Sequence, residues 1–260
     1  MSHNKTALIT GASAGLGSEF ARQLAAQGYN LVLVARRRER LQALADELAD
    51  GRSIEIITAD LSRAEAPAEI AAALAAKGIH IDYLVNNAGI AGGHLLEDRD
   101  WQQHRDFCQL MMLAVLELCH LLIPAMRERG FGRVINVASV AGRVPRADGG
   151  LYGPSKAYLV ALSENLSLEL KGSGVEVCAL CPGFTHTEFH AVAGLDDMKR
   201  SLPGWMWYDA GVVVREGLRA VEKGKPVYLS GRLYRWLDPL MQSLLTRRLF
   251  RAPGRPARNQ

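Results

Sequence analysis

The 260-residue sequence predicts a single-domain α/β fold, doubly wound, with helices covering both faces of a parallel seven-stranded sheet. Three observations carry that reading. Short apolar runs alternate with longer stretches of helical periodicity. Most of the short runs are apolar throughout, as strands buried on both faces require. No composition shift, long linker or internal repeat divides the chain, and its 48% hydrophobic and 22% charged residues are ordinary for a folded domain.

Lys5 to Thr10 (KTALIT) reads as the first strand, Gly15 to Gly28 as a helix, and Asn30 to Ala35 (NLVLVA) as the second strand. A helix from Arg38 to Ala49 precedes a third strand at Ser53 to Thr58. Then come an alanine-rich helix (Pro67 to Lys77), strand Ile81 to Val85, a long helix from Asp100 to Glu128, and strand Gly132 to Val137. The second half repeats the scheme with helix Gly153 to Lys171, strand Val175 to Leu180, a loop-rich insertion reaching Tyr208, helix Asp209 to Glu222 and strand Pro226 to Leu229. Residues 1–230 therefore form the expected catalytic domain, with an insertion at 186–208, and residues 231–260 form an extension.

The net charge of +4 is unevenly placed. Residues 231–260 hold seven arginines and one acid, Asp238, for a charge of +6, so the first 230 residues sum to −2. A uniformly basic nucleic-acid surface is not supported. Four cysteines (108, 119, 178, 181) are too few for a disulfide scaffold. The N-terminus lacks a signal-peptide core, and the apolar run Leu110 to Met126 is interrupted by Glu117, His120 and Pro124. The chain reads as soluble and cytoplasmic.

In a doubly wound sheet, ligands lie beyond the carboxyl ends of the strands. After the first strand comes Thr10-Gly11-Ala12-Ser13-Ala14-Gly15-Leu16-Gly17, whose glycines admit left-handed dihedrals and let backbone N–H groups reach a pyrophosphate. The alternative is a glycine-rich turn that only packs helix on strand. The spacing departs from Gly-x-Gly-x-x-Gly, and the absence of a Gly-Lys-Ser/Thr ending argues against a P-loop nucleotidase. The second strand runs into Arg36-Arg37-Arg38, with no acid before Glu39. An acid there would bind the ribose hydroxyl of NAD, whereas an arginine suits the 2′-phosphate of NADP. Arg36 is the first candidate for that phosphate, with Ser13 nearby, and Arg38 and Arg40 read as a solvated helix start.

Polar groups also follow the later strands: Asn86-Asn87-Ala88-Gly89, then Ser139, then Pro182-Gly183-Phe184-Thr185-His186-Thr187. Tyr152-Gly-Pro-Ser-Lys156 lies between the last two. A Tyr-x-x-x-Lys spacing is weak alone, but here it stands in register with the other strand-end signals. Together these residues resemble a classical short-chain dehydrogenase/reductase over residues 5 to about 230, in family order and spacing, and Arg36 resembles its NADPH-preferring branch. The resemblance implies a Rossmann-type fold and NADP(H) as cofactor. It implies Asp60 with Leu61 near the adenine, Asn87, Ala88 and Gly89 lining the cofactor, and Pro182, Gly183, Thr185 and Thr187 near the nicotinamide. It also implies a homodimer or homotetramer formed through the helices near 100–128 and 153–171.

The chemistry of the centre follows physically. Hydride transfer to a carbonyl creates an alkoxide that must be protonated, and a phenol can supply the proton. A lysine four residues along a helix shares the tyrosine's face, and its charge favours the phenolate. Tyr152 is thus the expected general acid/base, Lys156 its electrostatic partner and a ribose ligand, and Ser139 the hydroxyl that orients the carbonyl. Pro154 suits the first turn of that helix. One departure stands out: the family usually has an asparagine where Met111 stands, contributing largely through its backbone carbonyl, so an altered or slower proton relay is expected.

His186 and His190 lack a third ligand, and Cys178-Ala-Leu-Cys181 straddles a buried strand end, so neither is read as a metal or redox site. The insertion carries Phe189, Val192, Leu195, Met198, Leu202, Trp205, Met206 and Trp207. In the family this segment covers the substrate, which predicts a small hydrophobic ketone, aldehyde or secondary alcohol held by Ser139, Tyr152, Phe189 and Trp205, with His94 and Leu95 opposite.

In the extension, Leu233, Trp236, Leu237, Leu240, Met241, Leu244 and Leu245 recur at helical spacing ahead of Arg247, Arg248 and Arg251. Such a helix suits the substrate mouth, a subunit interface or an anionic membrane surface, and packing on its own protein is the favoured expectation. The leading function is an NADPH-dependent carbonyl reductase. The alternatives are a cofactor-sensing or scaffold protein without turnover, and a membrane-surface reductase of lipid or acyl carbonyls.

Overall fold

The computed structural model describes residues 5–92, 95–144, 150–186, 204, 207–243, 245–246 and 249. Seven strands, β1 (Thr6–Thr10), β2 (Asn30–Ala35), β3 (Ile54–Thr58), β4 (Tyr83–Asn86), β5 (Gly132–Val137), β6 (Val175–Cys181) and β7 (Val227–Leu229), form one parallel sheet in the order β3-β2-β1-β4-β5-β6-β7. The order reverses between β1 and β4, which opens a crevice at their carboxyl ends. Thr10 and Asn86 end those two strands, so the glycine loop and the asparagine motif flank the crevice.

The sheet pleat divides the core into two layers. Ala7 and Ile9 face one side, packed with Phe20 and Leu24 of α1 (Gly15–Ala26), Leu41 of α2 (Arg38–Leu48) and Val213 and Leu218 of α7 (Ala210–Glu222). Leu8 faces the other, against Ile70 of α3 (Ala66–Ala76), Leu118 of α5 (Ala114–Glu128) and Leu159 of α6 (Tyr152–Glu169). Runs apolar on both faces produce this arrangement, and the strand and helix limits lie within two residues of those expected.

The expected long helix near residues 100–128 is interrupted. α4 (Trp101–Cys108) passes into a π turn at Gln109–Leu113 before α5 begins. The wider turn buries Met111, whose sulfur accepts the backbone N–H of Ile90 at 3.4 Å. By length and composition the stretch Trp101–Glu128 could cross a membrane, yet Leu110, Met111, Leu118, Ile123 and Met126 are buried in the core.

The C-terminal helix α8 (Arg232–Gln242) packs on the same protein, as favoured, with Leu237 and Met241 of the expected apolar stripe inward and Trp236 and Leu240 outward. Tyr234 and Met241 are buried, whereas Trp236 is 85% exposed. Apolar spacing alone pointed to Trp236. Asp238 turns inward, where the half-buried Arg143 neutralises it. Leu244, Arg247, Arg248 and Arg251 lie outside the described residues.

Candidate active site

At the end of β1, Gly11 (φ 65) and Gly15 (φ 58) take left-handed dihedrals. A Cβ on Gly17 would stand 2.2 Å from the Gly11 carbonyl oxygen, so α1 seats tightly on the loop only with glycine there. Ala14 supplies no side-chain cap and the first turn of α1 carries no acid, which leaves the positive helix end suited to an anion.

Thr10 ties this loop to the next motif. Its hydroxyl donates to the Val85 carbonyl at 3.3 Å and accepts the N–H groups of Asn87 (2.9 Å) and Ala88 (3.0 Å). The Asn87 amide donates to the carbonyls of Thr10 (2.9 Å) and Gly11 (3.3 Å). The expected cofactor-lining residues Gly11 and Asn87 are thus brought into contact, with Ala88 and Gly89 continuing along the crevice. Thr10 was not among the expected site residues.

Beside the loop, the arginines divide their work. Arg37, not Arg36, reaches Ser13, with Nη2 at 3.1 Å and Nε at 3.4 Å from the hydroxyl oxygen. Arg36 stands 3.8 Å from Asp60. Burial raises the Asp60 carboxyl, but the N–H and hydroxyl of Ser62, followed by Arg36 and Arg63, outweigh it and hold the carboxyl below its ordinary value. Leu61 next to it is buried.

Past β5, the Ser139 hydroxyl accepts the Ala141 N–H at 3.1 Å and so caps a 3₁₀ turn, Val140–Gly142. Tyr152 opens α6 and Lys156 follows one turn later. The Lys156 ammonium is buried, donates to the Val137 carbonyl at 2.7 Å, and lies 5.6 Å from the centre of the Tyr152 ring. Desolvation pushes Tyr152 up to about 12, opposed by a hydrogen bond with Ser139. The same cause pulls Lys156 down to about 8, opposed by nearby Cys181. Burial is the larger of the two influences on Tyr152. At neutral pH the phenol therefore holds its proton.

After β6, the Val140 N–H donates to the Pro182 carbonyl at 3.0 Å and the Thr185 hydroxyl donates to the Gly183 carbonyl at 3.0 Å. Thr187, His94, Phe189 and Trp205 lie outside the described residues. Ser139 and Pro182 follow the neighbouring strands β5 and β6, and Lys156, on the first turns of α6 with Tyr152, reaches the end of β5.

Residues 5–197 match the short chain dehydrogenase family. The chain belongs to that family. As an oxidoreductase of this family it is similar to the NADP-dependent 3-hydroxy acid dehydrogenase YdfG of Escherichia coli K12, at 38% identity over 190 residues, 71% of this chain and 75% of the relative. The short-chain dehydrogenase from Sphingobium yanoikuyae in complex with NADPH superposes with a TM-score of 0.80 at 33% identity, covering 98% of each chain. The bulky-bulky ketone specific alcohol dehydrogenase from Comamonas testosteroni superposes with a TM-score of 0.76 at 29% identity, covering 98% of this chain and 97% of that one.

In this short-chain dehydrogenase the two cysteines of Cys178-Ala-Leu-Cys181 point to opposite faces of the sheet, Cys178 into one core layer and Cys181 into the other. Burial pushes both thiols up to about 12, so neither is a ready thiolate.

Proposed function

We propose that the chain is an NADPH-dependent reductase of hydrophobic ketones or aldehydes, with Tyr152 as general acid/base. The observation that carries this reading is the Tyr152 hydroxyl, kept protonated by burial and hydrogen-bonded to Ser139, with the Lys156 ammonium one helical turn away. The glycine cradle fits a dinucleotide: left-handed Gly11 and Gly15, a close approach at Gly17, and an uncapped helix end. Gly11, Ser13, Gly15, Leu16 and Gly17 would hold the pyrophosphate. Arg37 and Arg36, with Ser13, would hold the 2′-phosphate. Asp60 and Leu61 would border the adenine, Asn87 to Gly89 the adjoining ribose, and Pro182, Gly183, Thr185 and Thr187 the nicotinamide. When bound, NADPH supplies a hydride to the carbonyl carbon.

Ser139 Oγ donates a hydrogen bond to the carbonyl oxygen and orients it, and Tyr152 Oη delivers its proton to the same oxygen as negative charge develops there. Lys156, anchored on the Val137 carbonyl 5.6 Å from the centre of the tyrosine ring, stabilises the phenolate left behind. Substrate polarity is read from two features. Phe184, just after Pro182-Gly183, packs on the buried Trp207 with ring centres 5.3 Å apart, an apolar pair beside that loop. Arg143, the basic residue nearest Ser139 in sequence, is occupied by Asp238 and is not available to a substrate carboxylate, which favours neutral carbonyls over hydroxy acids. Leu113, Leu116 and Leu168, exposed on the π turn, α5 and α6, would be covered in a homodimer or homotetramer.

The reading is tested by offering the enzyme aliphatic and aryl ketones and aldehydes with NADPH or NADH. Turnover with NADPH in preference to NADH is the expected result. Tight NADPH binding with no turnover on any carbonyl would favour a cofactor sensor instead.

A further inference from the structure

We propose that Asp238, on the C-terminal helix α8, is a positioning residue for Ser139 and acts through Arg143. The proposal rests on the assignment of Ser139 and Tyr152 above, and it draws residues 231–242 into the catalytic apparatus.

The turn that carries Ser139 is short and pinned at both ends. At its start, the Val140 N–H donates to the Pro182 carbonyl at 3.0 Å. Within it, Gly142 and Arg143 donate back to the carbonyls of Ser139 and Val140, each at 3.0 Å. At its end, Arg143 leaves the turn toward α8. Its Nε donates to Asp238 Oδ1 at 2.9 Å and its Nη2 to Oδ2 at 2.7 Å, a two-pronged pair in which the side chains are only 15% and 19% exposed. One turn further along α8, Gln242 Nε2 donates to the Arg143 carbonyl at 2.9 Å. Residues four apart share a helix face, so Asp238 and Gln242 grip the side chain and the backbone of one residue together.

The turn has little slack elsewhere. A Cβ on Gly142 would stand 2.6 Å from the Lys156 carbonyl carbon, so the turn lies directly on the backbone of α6 beside the lysine. On the neighbouring loop, Tyr234 of α8 covers Gly183 so closely that a Cβ there would come within 2.0 Å of its ring. The C-terminal helix therefore braces both loops that flank the reacting centre. Removing the Asp238 charge leaves a largely buried guanidinium without its partner carboxylate, and such a group pulls toward water. The segment it would pull is the one that aims the Ser139 hydroxyl.

This account differs from a merely structural role for α8, because the same helix has a second ion pair that does not touch the turn. Arg235 donates to Glu216 at 3.2 Å and to the Tyr228 hydroxyl at 2.8 Å, in a more exposed pair whose charged side chains are 33% and 24% exposed. Asp238→Asn and Arg235→Gln are compared in the full chain for kcat with the most rapidly reduced carbonyl of the panel, NADPH Kd, Tm, and amide hydrogen exchange across residues 139–143.

Asp238→Asn is expected to lower kcat about tenfold, since small misplacements of a reacting group cost up to about a hundredfold, while NADPH Kd stays within about twofold. Exchange across 139–143 should quicken. Arg235→Gln should lower Tm by no more than Asp238→Asn does and leave kcat and that exchange within about twofold of the parent. Asp238→Glu, which retains the charge, should recover part of kcat. Unchanged kcat and exchange in Asp238→Asn, or equal losses in Arg235→Gln, would overturn the proposal. Should Asp238→Asn not fold, Arg143→Lys, which keeps the charge but loses the two-pronged geometry, is read by the same criteria. Hydrogen exchange needs no turnover, so a failure of the reductase reading and a failure of this proposal give different results.

Discussion

Lys156 holds its ammonium 5.6 Å from the centre of the Tyr152 ring, kept there by a 2.7 Å hydrogen bond to the Val137 carbonyl. Both groups are buried against their charged forms, so one resists losing a proton and the other resists keeping one.

That opposition has a measurable pH signature. Lys156 titrates at about 8 in the folded chain against 10.5 ordinarily. Between those values the unfolded chain binds the extra proton, so this group makes stability rise with pH across the window. The expected contribution is about 3 kcal/mol from below pH 8 to above pH 10.5, read as the difference between the parent and Lys156→Met in urea titrations. NADPH affinity should run the other way and weaken as pH rises through about 8. A pH-independent affinity in the parent would contradict the role of the charged lysine.

The proposed 2′-phosphate site is tested at the arginine pair. Arg36→Asp and Arg37→Ala should each weaken NADPH by about 10- to 100-fold, the range of a lost charge-assisted contact, and NADH much less. Equal losses for both dinucleotides, measured by fluorescence titration, would remove the arginines from the 2′-phosphate site.

At the glycine loop, Gly17→Ala forces a Cβ to within 2.2 Å of the Gly11 carbonyl oxygen. The expected cost is about 1–3 kcal/mol of stability from overpacking, together with loss of NADPH binding. Chemical denaturation and a binding titration check it, and a variant with parental affinity would show that the loop does not hold the phosphates.

Leu113 is 50% and Leu168 is 76% exposed. Replacing both with glutamate should convert the expected oligomer to a monomer by light scattering, with the monomer fold retained by circular dichroism. An unchanged mass would place the interface elsewhere.

Much of this was readable in the residues. Buried parallel strands announce themselves as unbroken apolar runs, and the strand ends then locate Gly11, Asn87 and Ser139, whereas Tyr152 needed its register with those motifs and the family resemblance. What escaped depends on distant partners. Arg36 read as the first candidate beside Ser13, and only the folded loop shows that Arg37 is the arginine that reaches it. Thr10 carries no local sign that its hydroxyl joins two strands. The π turn at Met111 reflects a tertiary contact with Ile90, not a helix-breaking residue. Asp238 read as the lone acid of a basic tail, because its partner Arg143 lies 95 residues away.

The central claim is proton delivery by Tyr152, and Tyr152→Phe tests it most directly. The substitution removes one oxygen and leaves the ring packing in place. The account predicts that NADPH-dependent carbonyl reduction falls by at least about a hundredfold, the low end of general acid catalysis, while NADPH binds with parental affinity. Parental kcat in Tyr152→Phe would contradict it.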